Sequence, residues 1–351
     1  MDPVRVVVIG CGNMGASHAR AYARIQGFEL AGLVDRTKEK ARRLADELGG
    51  VPVYSSPEEA VRPGNASAVA VCTYPETHHA LTLGALRAGL HVFVEKPLAS
   101  SVPEAEEIAA AALQTGKKVV VGYILRHHPA WQRFIEEART LGKPLVMRMN
   151  LNQQSSGLEW SVHKKLMESM SPIVDCGVHY VDIMCQMTRS RPVRVQAIGA
   201  RLSGEISESM YNYGHLHVVF EDGSVGWYEA GWGPMMSETA YFIKDVIGPK
   251  GCVSIAEPRG GTAGGSADID AHTRTSSLIR HDAESMLDVR IDTSDEPGHQ
   301  ELCNREQEYF LRAIRENTDL RDHLADAVNS LRIVLAADRS VRTGTVVHLP
   351  S

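Results

Sequence analysis

The feature that most constrains this chain is the run Val4-Arg5-Val6-Val7-Val8-Ile9-Gly10-Cys11-Gly12-Asn13-Met14-Gly15. Its β-branched residues read as a strand, and Gly10, Gly12 and Gly15 succeed it at G-x-G-x-x-G spacing. Each glycine has a physical use there. Gly10 permits the tight turn out of the strand, Gly12 lets a pyrophosphate approach the backbone, and Gly15 lets the next helix pack close. The helix N-terminus then presents N–H groups to phosphate. The competing reading is an ordinary Gly-rich turn between a strand and a helix.

Residues 29–122 favour the dinucleotide reading. A strand over 29–34 ends at Asp35, where a dinucleotide fold places the carboxylate that accepts hydrogen bonds from the adenosine ribose. Asp35 also reads as an N-cap for a helix over 38–48. Arg36 suits a 2′-phosphate, whereas the carboxylate before it repels one, so the pair favours NAD and keeps NADP open. Strands at 51–54, 68–72, 91–94 and 118–122 alternate with helices opening at Ser56-Pro57 and Pro75-Glu76 and covering 103–115. That alternation predicts a parallel sheet covered on both faces. Ligands of such sheets bind at the carboxyl ends of the strands, where 10–15, Asp35, 73–76, Glu95-Lys96-Pro97 and Tyr123 all fall.

After residue 124 the texture changes. A strand over 145–151 has Asn150, Asn152 and Gln153 at or just past its end, and a Ser-Ser-Gly turn leads into Trp160, His163 and Lys164. A helix is predicted over 173–187, with Asp175 and His179 four apart on one face. Strand-like runs come next at 193–201, 215–220, 224–231, 239–247 and 252–256, with a Glu221-Asp222-Gly223 turn signal between two of them. This is antiparallel texture. Trp227, Tyr228 and Trp232 fall on that sheet and read as an oligomer interface. The segment 257–296, with Gly260, Gly261, Gly264 and Gly265, reads as a long loop. Two helices close the chain, at 300–315 and 322–342.

Composition bounds the rest. With 351 residues, 43% hydrophobic and 23% charged, the chain resembles an ordinary soluble protein of about two domains. Net charge is −6 without a long basic run, which argues against nucleic acid or an anionic membrane as partner. The six cysteines form no C-x-x-C pair and read as reduced thiols. Strand-like sequence begins by Val4 and no 18-residue apolar stretch occurs, so the expectation is a cytoplasmic protein without a membrane segment.

Lys96 stands just past a buried strand, and Pro97 restricts it to an extended conformation. A cis Lys96–Pro97 bond would aim the side chain sharply. Asp175 and His179 put a carboxylate and an imidazole on one helix face, and their competing reading is an exposed face or a satisfied, half-buried histidine. His78-His79 and His127-His128 invite a metal reading, but no third and fourth ligand stands at suitable spacing, so no metal is expected.

Taken together, these residues resemble the glucose–fructose oxidoreductase, inositol dehydrogenase and MocA family. The matching elements are Gly10-Cys11-Gly12-Asn13-Met14-Gly15, Asp35, Thr73-Tyr74-Pro75-Glu76-Thr77-His78, Glu95-Lys96-Pro97, Gly122-Tyr123 through Arg126-His127-His128-Pro129, and Asp175-Cys176-Gly177-Val178-His179. The resemblance implies an α/β fold in two domains. Residues 1–124 form a Rossmann domain with a doubly wound parallel sheet. Residues 125–351 form an α/β domain with a large open, mainly antiparallel sheet, and the helix 322–342 is able to pack back on the first domain. It implies an NAD(P)-dependent oxidoreductase acting on a CH–OH group of a cyclitol, sugar or glycoside, assembled as a homodimer or homotetramer through the open sheet. Lys96, Asp175 and His179 take the catalytic roles, and either Lys96 or His179 is the base. Gly10, Gly12, Asn13, Met14, Gly15, Asp35, Arg36, Thr73, Tyr74, Pro75, His78, Glu95, Lys96 and Pro97 are the expected cofactor residues. Tyr123, Arg126, Asn152, Trp160 and His163, with Lys96, Asp175 and His179, are the expected substrate residues. An NADPH-dependent keto-sugar reductase and a non-catalytic NAD(H) sensor are the alternatives.

Overall fold

Strands that are apolar on both faces need cover on both sides, and the segments between them supply it as helices. The computed structural model describes residues 2–350 except 63, 238–242, 257–272, 274, 276, 294 and 295. The chain begins with β1 (Val4–Ile9), α1 (Asn13–Arg24), β2 (Phe28–Val34), α2 (Lys38–Glu47), α3 (Pro57–Ala60) and β3 (Ala68–Val71). Next come α4 (Pro75–Arg87), β4 (His91–Glu95), α5 (Val102–Thr115) and β5 (Val119–Gly122). It continues with α6 (Pro129–Thr140), β6 (Val146–Gln154), α7 (Gly157–Leu166), α8 (Pro172–Asp175), α9 (Gly177–Thr188) and β7 (Pro192–Ala200). Then follow β8 (Tyr213–Phe220), β9 (Val225–Gly233), β10 (Lys244–Gly248), β11 (Gly251–Ala256), β12 (Ser277–Asp282) and β13 (Asp288–Asp292). The last elements are α10 (His299–Arg315), α11 (Arg321–Thr343) and β14 (Val347–His348).

Two compact units result: residues 1–124 with 298–328, and residues 125–297 with 329–351. Among the described residues the first holds a five-stranded sheet in the order β2-β1-β3-β4-β5. All its pairs are parallel. The order reverses between β1 and β3, the place where such sheets open a crevice at the strands' carboxyl ends. The strand expected at 51–54 reduces to a single bridge, Leu33 with Val53. Helix α10 lies in the first unit, although its position in sequence suggests the second. Its apolar face completes the first core: Phe310, Leu311 and Ala313 pack with Tyr22, Phe28 and Phe93.

Among the described residues the second unit holds a nine-stranded sheet, β13-β12-β11-β10-β6-β9-β8-β7-β14. Only β6 and β9 run parallel among its neighbours. Alternation puts Met147, Met149, Leu216, Val218, Tyr228, Ala230, Trp232, Val246 and Val253 on one buried face. Helices α6 and α9 contact that face. The opposite face exposes Val146, Ile198, Val225 and Ile247. This corrects the placement of the aromatic residues. Tyr228 stacks on Tyr180 of α9, with ring centroids 5.1 Å apart, and Trp232 is buried under α7. Only Trp227 points to the open side. Two further expectations change. The helix predicted over 173–187 is divided at Cys176 into α8 and α9. The segment predicted as one loop over 257–296 contains β12 and β13, and Gly260, Gly261, Gly264 and Gly265 lie outside the described residues. The strand expected at 239–247 is seen only as β10, since 239–242 also lie outside them.

One group in the first core is out of keeping with its surroundings. Glu306 on α10 is 1% exposed, and neither carboxyl oxygen has a hydrogen-bond partner among the described residues. Burial, and then the field of Glu95, push its pKa well above the ordinary carboxyl range. The folded chain therefore keeps a proton there that the unfolded chain releases. Its stabilising effect is complete below the unfolded pKa near 4.5 and is lost as pH rises toward the folded value. Replacing Glu306 by Gln removes that dependence. Thermal melts at pH 5 and pH 8 should show E306Q gaining on the wild type by up to about 1.4 kcal/mol per pH unit. An unchanged gap between the two proteins would contradict a protonated Glu306.

Candidate functional site

In the first unit the site is built on the turn after β1. Gly10 has φ of +97°, and a Cβ there would lie 2.3 Å from the carbonyl oxygen of Cys72 at the end of β3. A Cβ on Gly15 would lie 1.8 Å from the oxygen of Gly10. Gly12 differs, because its Cβ position has nothing within 4 Å. Gly12 is also the N-cap of α1, with no side-chain cap and no acidic residue in the first turn. Packing closes this turn on two sides and leaves it open at Gly12, with helix amides ahead. The arrangement fits a dinucleotide pyrophosphate.

Asp35, at the end of β2, accepts the N–H of Cys11 at 2.7 Å with one oxygen and that of Thr37 at 2.7 Å with the other. Thr37, not Asp35, is the N-cap of α2. Asp35 thus ties the end of β2 to the glycine turn, and Arg36 beside it is exposed. At the end of β3, Thr73 and Thr77 hydroxyls pair at 2.7 Å, and Tyr74, the N-cap of α4, is 56% exposed. His78, expected among the cofactor residues, is enclosed and supports the loops around it. It is fully buried, and its ring spans the carbonyls of Pro97 at 2.8 Å and Thr73 at 3.0 Å, joining the loops after β3 and β4. Burial lowers its pKa. His79 pairs instead with Glu107. Lys96–Pro97 is cis. Lys96 is half-buried between buried Glu95 and buried Pro97. Tyr123 is 1% exposed and belongs to the core rather than to an open surface.

In the second unit the expected residues separate. Arg126 lies in a 3-10 turn, Ile124–His127, and its guanidinium is committed to the fully buried Asp182 of α9, with Nε 2.8 Å from the carboxylate. His128 is spent as the N-cap of α6, its ring accepting the Ala130 N–H. Asn152 donates to Glu229 at 2.9 Å on the open face of the sheet. The next residue, Gln153, is on the covered face. Its Oε1 accepts from Trp232 Nε1 at 2.6 Å and from the Cys176 thiol at 3.1 Å. Met147, Met149 and Leu151 already set that phase, so alternation was a usable signal for Gln153.

Around Gln153 the structure brings together Trp160, His163, Trp232 and Asp175. The His163 ring lies flat on Trp232, 4.5 Å away and tilted 7°, and its Nδ1 is 2.9 Å from the Ser155 hydroxyl. Burial lowers the His163 pKa, while the Asp175 carboxylate acts in the opposite direction. Glu205, which no motif marks, accepts from Trp160 Nε1 at 3.1 Å and from Lys164 Nζ at 2.6 Å. These bonds hold the Glu205 carboxyl below its ordinary range. Asp175 ends α8, His179 lies in the first turn of α9, and the Cys176 thiol contacts the Asp175 carboxylate at 3.6 Å. Each of the two is half-buried between buried chain neighbours, as Lys96 is.

A parallel sheet with this glycine turn and a carboxylate at the end of β2 is the arrangement of a dinucleotide-binding oxidoreductase. The chain belongs to the Gfo/Idh/MocA family. Residues 4–123 match the model of that oxidoreductase family with its NAD-binding Rossmann fold, and residues 133–252 match the family's C-terminal domain. It is 26% identical over 366 residues to the scyllo-inositol 2-dehydrogenase (NAD(+)) of Bacillus subtilis, covering 99% of this chain and 96% of that one. It is 25% identical over 372 residues to the D-glucoside 3-dehydrogenase of Escherichia coli, covering 99% and 98%. Among solved structures it is similar in fold to GenD2 from gentamicin A biosynthesis in complex with NAD, with a TM-score of 0.77, 22% identity and coverage of 100% and 97%.

The two glycines predict opposite outcomes. Gly12→Ala has room for its methyl group and should melt within about 2 °C of the wild type while NAD affinity by calorimetry falls at least about tenfold. Gly15→Ala meets the Gly10 carbonyl and should lose stability instead. Equal NAD affinity in G12A and wild type would remove Gly12 from the phosphate site.

Proposed function

We propose that the chain oxidises a secondary alcohol of a cyclitol, sugar or glycoside, and that Lys96, Asp175 and His179 carry the proton chemistry. The observation that supports this most is shared by all three side chains: each is half-buried in a stretch whose neighbours are buried. A polar group kept partly open where its neighbours are closed is placed to meet a small ligand. The names of the relatives, a scyllo-inositol and a glucoside dehydrogenase, supply the substrate class. NAD, when bound, supplies the hydride acceptor.

The chain's own work is to hold the alcohol and to take its proton. His179 accepts the hydroxyl proton, a task suited to an imidazole near working pH. Lys96 donates a hydrogen bond to the same oxygen as negative charge builds there. Asp175 accepts from a substrate hydroxyl or from His179 and keeps it oriented. His163, half-buried and stacked on Trp232, offers its other ring face to a polyol, while Trp160, 6% exposed and with its Nε1 given to Glu205, backs that cluster. Arg126 and Asn152 have no part in this reading, because Asp182 and Glu229 occupy them.

The test is NAD reduction followed at the nicotinamide absorbance across inositols, monosaccharides and glycosides. Lys96→Ala and His179→Ala should each lower turnover by about 100-fold or more with NAD affinity kept. Near-normal turnover in either variant sinks that assignment, and NAD binding without turnover on any polyol or keto-sugar favours a sensor.

We also propose that copies of the chain associate through the open face of the nine-stranded sheet. Val146, Ile198, Val225 and Ile247 there are 39%, 56%, 36% and 38% exposed, an apolar surface of the kind interfaces cover. The double variant I198D/V225D should elute as a monomer by light scattering where the wild type does not. An unchanged mass would place the interface elsewhere.

A further inference from the structure

Four buried side chains of the first unit form a hydrogen-bonded line in which every donor points the same way. The Tyr22 hydroxyl donates to Gln307 Oε1 at 2.6 Å, Gln307 Nε2 to His18 Nδ1 at 2.9 Å, and His18 Nε2 to Glu95 Oε1 at 2.7 Å. The second oxygen of Glu95 accepts the backbone N–H of Lys96 at 3.2 Å. Chemistry sets the direction. A carboxylate accepts and does not donate, so the His18 proton sits on Nε2. In the neutral ring Nδ1 then accepts, which agrees with the amide nitrogen of Gln307 turned toward it and Oε1 left for Tyr22. His18 and Tyr22 are one turn apart on α1, Gln307 comes from α10, and Glu95 ends β4. The Phe93 ring, 4.6 Å from the imidazole, limits its rotation.

The same corner brings ligand atoms of His18, Cys303 and Glu306 within 4.8 Å of one another. It is poorly suited to a cation. Both His18 nitrogens are already used, and burial keeps the Cys303 thiol protonated.

We propose that His18, oriented by Gln307 and Tyr22, is a positioning residue for Lys96. It holds the Glu95 carboxylate where that carboxylate fixes the Lys96 backbone. The inference rests on the reading of Lys96 as a reacting residue, and its first two readouts need no substrate. Long-range 1H–15N spectra of histidine-labelled enzyme should show His18 as the Nε2–H tautomer. Amide exchange at Lys96 should quicken about tenfold or more in His18→Leu, and should stay within about threefold of wild type in His18→Gln, whose Nε2–H reaches the same place. With a polyol that the wild type turns over, kcat should fall in the same order while KM for NAD holds. An Nδ1–H tautomer, unchanged Lys96 exchange in H18L, or equal quickening in both variants overturns the proposal. Should H18L not fold, Gln307→Leu takes its place, and unchanged tautomer and exchange there overturn it equally. Wild-type turnover in Lys96→Ala would instead refute the catalytic reading and leave the spectra to judge the hydrogen-bonded line.

Discussion

The first unit depends on one close approach, that of α1 to the end of β1. Only the missing Cβ of Gly15 allows it, since a methyl group there would overlap the Gly10 carbonyl. The approach does more than expose helix amides at Gly12. It sets the depth of the whole helix. At that depth, the next turn delivers His18 to Glu95, and the turn after delivers Tyr22 to Gln307. A polar line this deep is tolerable because nearly every group in it is partnered. Glu306, beside Gln307 on α10 but outside the line, has no such partner among the described residues, and burial, which raises its pKa, favours its protonated form.

Much of this half was legible because the signals are local. The strand runs, the glycine spacing, Asp35 and the Glu95-Lys96-Pro97 element each lie within one strand and the turn that ends it, where sequence order is also spatial order. What stayed hidden was long-range. The pattern of α10 announces an apolar face without saying which core receives it. A histidine inside a helix carries no mark of a partner 77 positions away. His78 matched a motif, but a motif does not report that the ring is enclosed between two carbonyls.

The second half shows a different limit. In a sheet covered on one side, an error of one residue moves a side chain to the opposite face. Asn152 and Gln153 are adjacent, yet one meets Glu229 on the open side and the other holds Trp232 and Cys176 on the covered side. Tyr228 and Trp232 were grouped with Trp227 by proximity in sequence, and alternation separates them. Arg126 looked available because Asp182 is distant in sequence. The strands β12 and β13 were obscured by the Gly-rich composition that precedes them.

The placement of α10 bears on how the molecule is made. The first unit has its sheet and five of its helices by residue 124, but Phe310, whose ring lies 6.3 Å from those of Phe28 and Phe93, is translated only after eight of the nine strands of the second sheet. On the ribosome the cofactor half waits with an open aromatic wall while the other half is synthesised. The two halves are therefore not interchangeable cassettes. A single recombination crossover near residue 124 would leave each new Rossmann half to be closed by a helix shaped for another core.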